Sequence, residues 1–276
     1  MDSRPGDIPE RSLGEILNET FVIYGKHIWK LLGLSAVVHV PINLLGLAVG
    51  TETWTIAIMA IVAILATFLV YGATVVAVGQ QYIYSDIKIA SCYQRVWWRV
   101  FSLTQLAVVL AGGLVITAGL TFAALEVMEQ GLLLGSFLLL SISGLLMGYL
   151  VYVTVAVQAV LVEGHKFVGG IKRSVSLVNG NWRRVFGMSV VIGLVIVGLF
   201  MLATVPFLII GGIVLGPEAE GFGVTLLSAI GGMVVSVVTS PVGFIATTLI
   251  YFDLRVGKEG YDMETLSTEM GLRPTF

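Results

Sequence analysis

His39 and Asn43 stand four residues apart on either side of Pro41, inside a run of residues that is otherwise apolar. On a helix that spacing puts an imidazole and a carboxamide on one face. At membrane depth such a pair could hold a polar solute or pass a proton, because ionisable groups there usually face a bundle interior or water. Ser240, between Thr239 and Pro241 in a second apolar run, is the third member of this candidate intramembrane polar site. A plainer account is available for all three. A neutral His and an Asn can be hydrogen-bonded to neighbouring helices around a Pro kink, and Ser240 can mark a second kinked helix. Gln105 and Gln158 read as hydrogen bonders between helices.

A second constellation is ionic. Glu163 is followed by Lys172, Arg173, Arg183 and Arg184, and Asp253, Arg255, Lys258 and Glu259 follow a later apolar run. Two readings compete for it. The charges could form a salt-bridged collar at a membrane surface, with Asp253 and Arg255 pairing with the 163–184 segment. Alternatively the bases could bind anionic lipid headgroups, each worth about 1 kcal/mol near such a surface. The interspersed acids weigh against the second.

Catalytic patterns are missing. There is no HExxH, no GxSxG, no Walker A loop and no His/Asp cluster at metal-ligand spacing. The chain has 3 His and 1 Cys. No metal, cofactor or nucleic-acid partner is expected, and the protein reads as a non-enzyme. Cys92 excludes an internal disulfide and is expected on a cytoplasmic segment as a reduced thiol that impermeant reagents miss in intact cells.

These residues are positioned by elements made for lipid. Of 276 residues, 57% are hydrophobic and 12% charged, and the mean hydropathy is +0.98. A soluble domain carries roughly 25% charged residues. A helix needs about 20 apolar residues to cross a bilayer. Runs at about 29–50, 53–79, 101–124, 132–162, 186–216 and 223–252 qualify. The charged residues early in the chain argue against a cleaved signal peptide and for a retained first span.

The 15 Lys and Arg all lie in alternate segments. They are Arg4, Arg11, Lys26 and Lys30; Lys88, Arg95 and Arg99; Lys166, Lys172, Arg173, Arg183 and Arg184; and Arg255, Lys258 and Arg273. The other segments hold only the acids Glu52, Glu126, Glu129, Glu218 and Glu220. The positive-inside rule then puts both termini in the cytoplasm.

The basic segments share a design. Residues 12–28 carry an apolar stripe of Leu13, Leu17, Phe21, Tyr24 and Ile28, with Ser12 and Glu15 as a capping box. Residues 83–97 repeat it with Ile83, Ile87, Ala90 and Trp97, and 167–182 with Phe167, Ile171, Val175, Val178 and Trp182. Each hands over to a span through Trp29-Lys30, Trp98-Arg99 or Trp182-Arg183, pairs suited to the headgroup level. The expected fold is all-α: one integral membrane domain, residues 1–276, with six spans, three interfacial amphipathic helices and a tail at 253–276. A threefold repeat of helix plus two-span hairpin is expected. The pairs Gly46/Gly50, Gly144/Gly148 and Gly212/Gly216 are expected where backbones approach closely.

Several stretches carry a family resemblance. They are Ser12–Leu17 leading to Tyr24–Trp29, Leu161–Glu163 with Lys172–Ser174 and Asn181–Arg184, and the tail motif Tyr251–Asp262. The chain resembles the membrane domain associated with glycerophosphoryl diester phosphodiesterases, a family that includes stand-alone six-span prokaryotic proteins. Gly257 departs from it, standing where the pattern has a basic residue. The soluble barrel that does the chemistry in the fused proteins has no counterpart here, so the resemblance implies no hydrolase activity and no catalytic residues. Two functions are expected to compete. One is a non-enzymatic accessory, scaffold or lipid-interacting module of a prokaryotic cytoplasmic membrane, whose partners are membrane lipids, anionic headgroups or another membrane protein. The other is a transporter or channel for a small or lipidic solute.

Overall fold

A computed structural model describes residues 11–48, 52–214, 216 and 222–271. Arg4, Gly50, Glu218, Glu220 and Arg273 lie outside the described residues. The elements are α1 (Leu13–Lys26), α2 (Ile28–Ala48), α3 (Thr53–Tyr84), α4 (Ile89–Trp97), α5 (Val100–Gln130), α6 (Leu132–Val153), α7 (Ala156–Leu161), α8 (Phe167–Val178), α9 (Trp182–Val214), α10 (Phe222–Glu259) and α11 (Met263–Glu269). No strand occurs among the described residues. Among the described residues six helices are long and apolar enough to cross a membrane: α2, α3, α5, α6 continued by α7, α9 and α10. The order of one short helix and two long ones occurs three times, beginning at α1, α4 and α8.

The short helices gather at one end, here called the charged face. The capping box opens α1: the Glu15 backbone N–H donates to Ser12 Oγ at 3.4 Å, and the Ser12 backbone N–H donates to the Glu15 carboxylate at 2.6 Å. Its buried stripe is Ile16, Thr20 and Ile23, packed on α10 and α2. That is turned from the expected stripe; Phe21 stays 43% exposed. An interfacial helix has two apolar sides, one for protein and one for lipid, and the spacing alone does not separate them.

The second unit departs further. Helix α3 runs on to Tyr84 and ends at Ser85 in the left-handed region, φ 55°. Gln80 then ties down the turn, accepting from the Lys88 backbone N–H at 2.9 Å and donating to Ser91 Oγ at 2.8 Å. Helix α4 is therefore only 9 residues long. Trp29 and Trp98, both 82% exposed, and Trp182, 48% exposed, stand at the starts of α2, α5 and α9, as headgroup-level anchors would.

Helix α10 is the axis. Its most apolar stretch is 56% buried within the protein, against 11–22% for the other five long helices. The dense part of the core lies toward the charged face, where Val70–Val78 of α3, Val155–Val162 and Ile245–Leu254 of α10 interlock. Away from that face the helices separate. The α5–α6 hairpin leaves Val115, Leu133, Phe137 and Leu140 exposed to what would be lipid.

Close backbone approach occurs, but not at the expected glycines. A Cβ on Gly170 of α8 would stand 3.2 Å from the Ala156 carbonyl of α7, and one on Gly72 would meet Leu161, Val96 and Leu103 at 3.1–3.3 Å. By contrast Gly144, Gly148, Gly212 and Gly216 have open space, and Gly46 meets only Met59 at 4.0 Å. A four-residue spacing aligns two glycines on a face without saying which face meets a neighbour.

The fourth span breaks. Between α6 and α7, Val155 leaves helical geometry (φ −108°, ψ 15°). Ser174 of α8 fills the gap: its Oγ donates to the Tyr152 carbonyl at 2.8 Å and accepts from the Val155 N–H at 3.3 Å. Tyr71 Oη lies 3.3 Å from the Thr154 carbonyl and 3.0 Å from Thr247 Oγ1, and accepts from Gln158 Nε2 at 2.9 Å. Gln158 thus bonds between helices as expected.

Candidate functional site

The apolar sequence of α10 stops at Phe252, but the helix does not. It continues to Glu259, so Asp253, Arg255 and Lys258 stand on the end of the axial helix and not in a tail. The last turns persist because their charges find partners in neighbouring elements. Asp253 is fully buried and pairs with Arg184 of α9 at 2.9 Å, while accepting from the Arg11 backbone N–H at 2.7 Å. Arg255, 6% exposed, donates twice to Glu269 of α11 (2.6 and 3.0 Å) and to Glu259 at 3.0 Å, and lies 3.9 Å from Glu163. Its guanidinium stacks 3.8 Å above the Tyr261 ring. Arg173 of α8 bridges Glu163 at 2.7 Å and Glu259 at 2.5 Å. Tyr251 Oη donates to Glu163 at 2.8 Å.

Other bases cap helix ends. Lys258 donates to the Ser176 and Asn179 carbonyls at 2.7 and 2.5 Å, closing the C-terminus of α8. Arg95 donates to the Glu269 and Met270 carbonyls at the end of α11, and Arg99 to the Gly164 carbonyl at 2.8 Å. Helix α11, whose Asp262 cap accepts from the Thr265 N–H at 2.8 Å, is thereby folded back on α3 and α4. Nothing in the sequence marked α11 as a member of this cluster. Glu269, four residues from Thr265 on a short polar helix, carried no signal of its own.

The geometry thus brings Glu163, Arg173 and Arg255 into one ion-paired network with Glu259 and Glu269, sets the Arg184–Asp253 pair at the same end, and uses Lys258 to cap α8, which together make up the collar. Lys172 and Arg183 are left outside it, both exposed, with Arg183 set 5.8 Å over the Trp182 ring. Acids and bases in the collar neutralise one another at contact distance, which leaves little field for a headgroup to feel.

The intramembrane candidates divide. His39 and Asn43 line a cleft of about 570 Å³ between α2, α3 and α10, with Thr55, Thr67 and Ser236. Asn43 Nδ2 donates to the His39 carbonyl of its own helix at 2.8 Å and not to a neighbouring helix. His39 is 8% exposed and its Nε2 has no hydrogen-bond partner. Ser240 does not line this cleft. It pairs with Ser35 Oγ at 2.9 Å, nearer the charged face. Fully buried Leu31, Leu34, Val70 and Ala73 close the bundle at that level, so the cleft is blind.

Two more clefts flank it in the same half. One of about 490 Å³ lies between α9 and α10 (Phe200, Phe207, Leu208, Gly212, Leu227) and shares Ser236. The other, about 470 Å³, lies between α3, α5 and α6 (Phe68, Leu110, Leu114, Leu150) and shares Ala63 and Thr67. Among the described residues no cluster of His, Cys, Asp and Glu could hold a metal ion.

A family model described as a domain of unknown function (DUF7847) matches residues 85–253, more than half of the chain. The chain belongs to the DUF7847 family. The DUF7847 match begins at Ser85, which ends α3, and closes at Asp253, the buried acid of the collar. It takes in the second unit and most of the third and leaves out α1, α2 and α3, and with them His39 and Asn43. No curated protein and no solved structure matches the chain.

Proposed function

We propose that this DUF7847 protein is a non-enzymatic, lipid-interacting module of a prokaryotic cytoplasmic membrane, with its charged face in the cytoplasm. The carrying observation is its uneven packing: a sealed, ion-paired base and an opposite half in which three clefts open between membrane-depth helices. The cleft between α3, α5 and α6, walled by Phe68, Leu110, Leu114 and Leu150, suits an acyl chain, and the other two combine apolar walls with a few uncharged polar groups. The resemblance of the Ser12–Trp29 and Tyr251–Asp262 stretches to a membrane domain associated with glycerophosphoryl diester phosphodiesterases is compatible with such a role.

Lipid retention tests the reading. Purified in mild detergent and weighed by native mass spectrometry, the protein is expected to keep at least one lipid. Gly212→Trp should reduce that number, since Gly212 lines the α9–α10 cleft, a Cβ there meets nothing within 4 Å, and an indole would occupy space the lipid needs. A lipid-free protein would sink the reading. The second reading, transport, is favoured by one observation: a blind cleft with a buried histidine at its floor is the shape of one state of an alternating-access device. Concentrative uptake into vesicles would favour it over the first.

The orientation has its own test. Cys92 is fully buried on α4, its Sγ 3.6 Å from Gln80 Oε1, and burial pushes the thiol up to about 12. It stays protonated and out of reach, so it labels from neither side and reports no topology, contrary to its expected use as a marker. The same inertness makes single-cysteine reporters clean. A cysteine at exposed Glu129 is expected to react with an impermeant maleimide in intact cells, and one at exposed Lys172 only after permeabilisation. The reverse pattern would invert the topology.

A further inference from the structure

The acids that weigh against headgroup binding at the charged face are matched inside the collar. Glu163, Asp253, Glu259 and Glu269 are paired with Arg173, Arg184 and Arg255. What the collar leaves over is basic. From Gly164 to Arg184 the sequence has no Asp or Glu. Lys166, Lys172 and Arg183 of that stretch are exposed and meet no carboxylate among the described residues.

These three bases are strung along α8 and its exit. Helix α8 buries Gly170, Ser174, Leu177 and Val178. Gly170 packs against the Ala156 carbonyl, 3.2 Å from where a Cβ would stand, and Ser174 closes the break before α7. Those contacts fix which face of α8 stays outward. It shows Val168, Lys172 and Val175, three or four residues apart. Lys166 stands at the head of the helix, about 9 Å along the axis from Lys172 at 1.5 Å per residue. That separation is comparable to the Debye length at physiological salt, so the two bases reinforce each other's field. Residues 179–181 are all that separate α8 from Trp182, the first residue of the membrane-crossing α9. Trp182 is 48% exposed, and Arg183 lies 5.8 Å over its ring with no hydrogen-bond acceptor among the described residues. The outer face of α8 is thus held at the level where α9 enters the bilayer.

The other interfacial helices are built differently. The exposed side of α1 carries Glu15. Arg95 of α4 and Arg99 just after it are held by backbone carbonyls, which leaves Lys88 beside exposed Asp86. Helix α8 is the one of the three that sets several unpaired bases among exposed apolar side chains. An anionic phospholipid answers both. Its phosphate suits Lys and the planar fork of Arg, and the interface suits Val and Trp. A zwitterionic head brings its own ammonium, which cancels the attraction. A soluble acidic segment would match the charge, but at the bilayer surface lipid heads are already present at high local density. We propose that the outer face of α8, with Lys166, Lys172, Trp182 and Arg183, is a docking site for the headgroup of an anionic phospholipid. This rests on the lipid-interacting reading and adds a headgroup class to it, at a surface apart from the clefts.

The test uses the full chain in phosphatidylcholine vesicles with trace amounts of two photoreactive probes, a phosphatidylglycerol and a phosphatidylcholine, each with a diazirine near the glycerol. Labelled peptides are mapped by mass spectrometry. The phosphatidylglycerol probe is expected to label the 164–184 stretch at least about fivefold more than the phosphatidylcholine probe, the preference that a single base near an anionic lipid supports. Lys172→Gln combined with Arg183→Gln should bring the ratio close to parity, while Lys88→Gln should leave it unchanged. All three side chains are exposed and outside the collar, so the fold is expected to tolerate the changes. Equal labelling by the two probes in the wild-type protein overturns the headgroup site, and the lipid reading still stands if native mass spectra show retained lipid. A preference that survives the double variant, or that Lys88→Gln lowers as much, overturns the site as well, because the field would then belong to the whole face. Displacement of the phosphatidylglycerol probe by inorganic phosphate at constant ionic strength, or by an equimolar acidic peptide, would make the ligand soluble and overturn the lipid assignment. Equal labelling together with a lipid-free protein overturns both readings.

Discussion

Arg255→Gln is expected to destabilise the detergent-solubilised protein by about 3 kcal/mol, the lower end of the range for breaking a buried ion pair. The guanidinium is 6% exposed and carries three kinds of contact at once: two bonds to Glu269, one to Glu259, and the face of Tyr261. Gln reaches none of the carboxylates bidentately and brings no charge. Its removal leaves Glu163, Glu259 and Glu269 gathered around a lost cation, with Arg173 alone to answer the first two. The cost stays at the lower end because Glu259 and Glu269 are 32% and 25% exposed and can turn to water. It also spreads. Glu269 belongs to α11, so that helix should loosen from α3 and Arg95 should lose the carbonyls it caps. Thermal unfolding of wild type and variant gives the size, and protease cleavage near residue 263 the spread. Lys172→Gln, an exposed base outside the collar, serves as the control, expected within about 0.5 kcal/mol of wild type. If the two variants behaved alike, the collar would be decoration. Asp253→Asn probes its other arm, toward Arg184 and α1.

The long helices were legible because nothing but lipid explains so many uncharged residues in runs of twenty or more. Where each helix stops was less so. Hydropathy ends the sixth span at Phe252, but helix ends follow hydrogen bonds and charge partners, and those of Asp253 and Arg255 come from Arg11 ahead of α1, the segment between α7 and α8, α9 and α11. The pairing of Asp253 and Arg255 with the 163–184 segment could be anticipated because two charged stretches on one membrane face must settle near each other. The contribution of Glu269 could not, since an acid on a short polar helix looks like solvent-facing surface. His39 and Asn43 were visible as anomalies in an apolar run, and the cleft they share is present. Ser240 looked equivalent to them and is not: its depth along α10 sets it beside Ser35, in the packed half. One dimension of sequence gives depth only approximately, and here an error of one turn separates an open cleft from a sealed core. The glycine pairs failed for a related reason, because spacing fixes a face but not its neighbour.

The break between α6 and α7 left no trace in hydropathy, and it supports the second large effect. Ser174→Val is expected to cost on the order of 3 kcal/mol, from two buried backbone groups each losing a partner. Thr154 and Val155 interrupt a span that is otherwise continuous in composition, and an interrupted helix at membrane depth must satisfy its freed groups from other elements. Ser174 Oγ does so twice, donating to the Tyr152 carbonyl and accepting from the Val155 N–H. Valine matches the shape and offers neither function. Ser174→Ala should cost nearly as much, which separates lost hydrogen bonds from steric misfit, and Ser174→Thr should restore most of the loss by returning the hydroxyl. The site is tight: Gly170, one turn earlier on α8, already brings its backbone against Ala156. Unfolding midpoints for the three variants give the ranking. Amide hydrogen exchange at Val155 gives the mechanism, because its N–H should exchange faster in the Val and Ala variants while the Tyr71–Gln158–Thr247 cluster one turn away holds α7 in place. If exchange at Val155 stayed as slow as in wild type, the hydroxyl would not be what closes the break, and the bend would have to be held by the packing of α7 against α8 and α3.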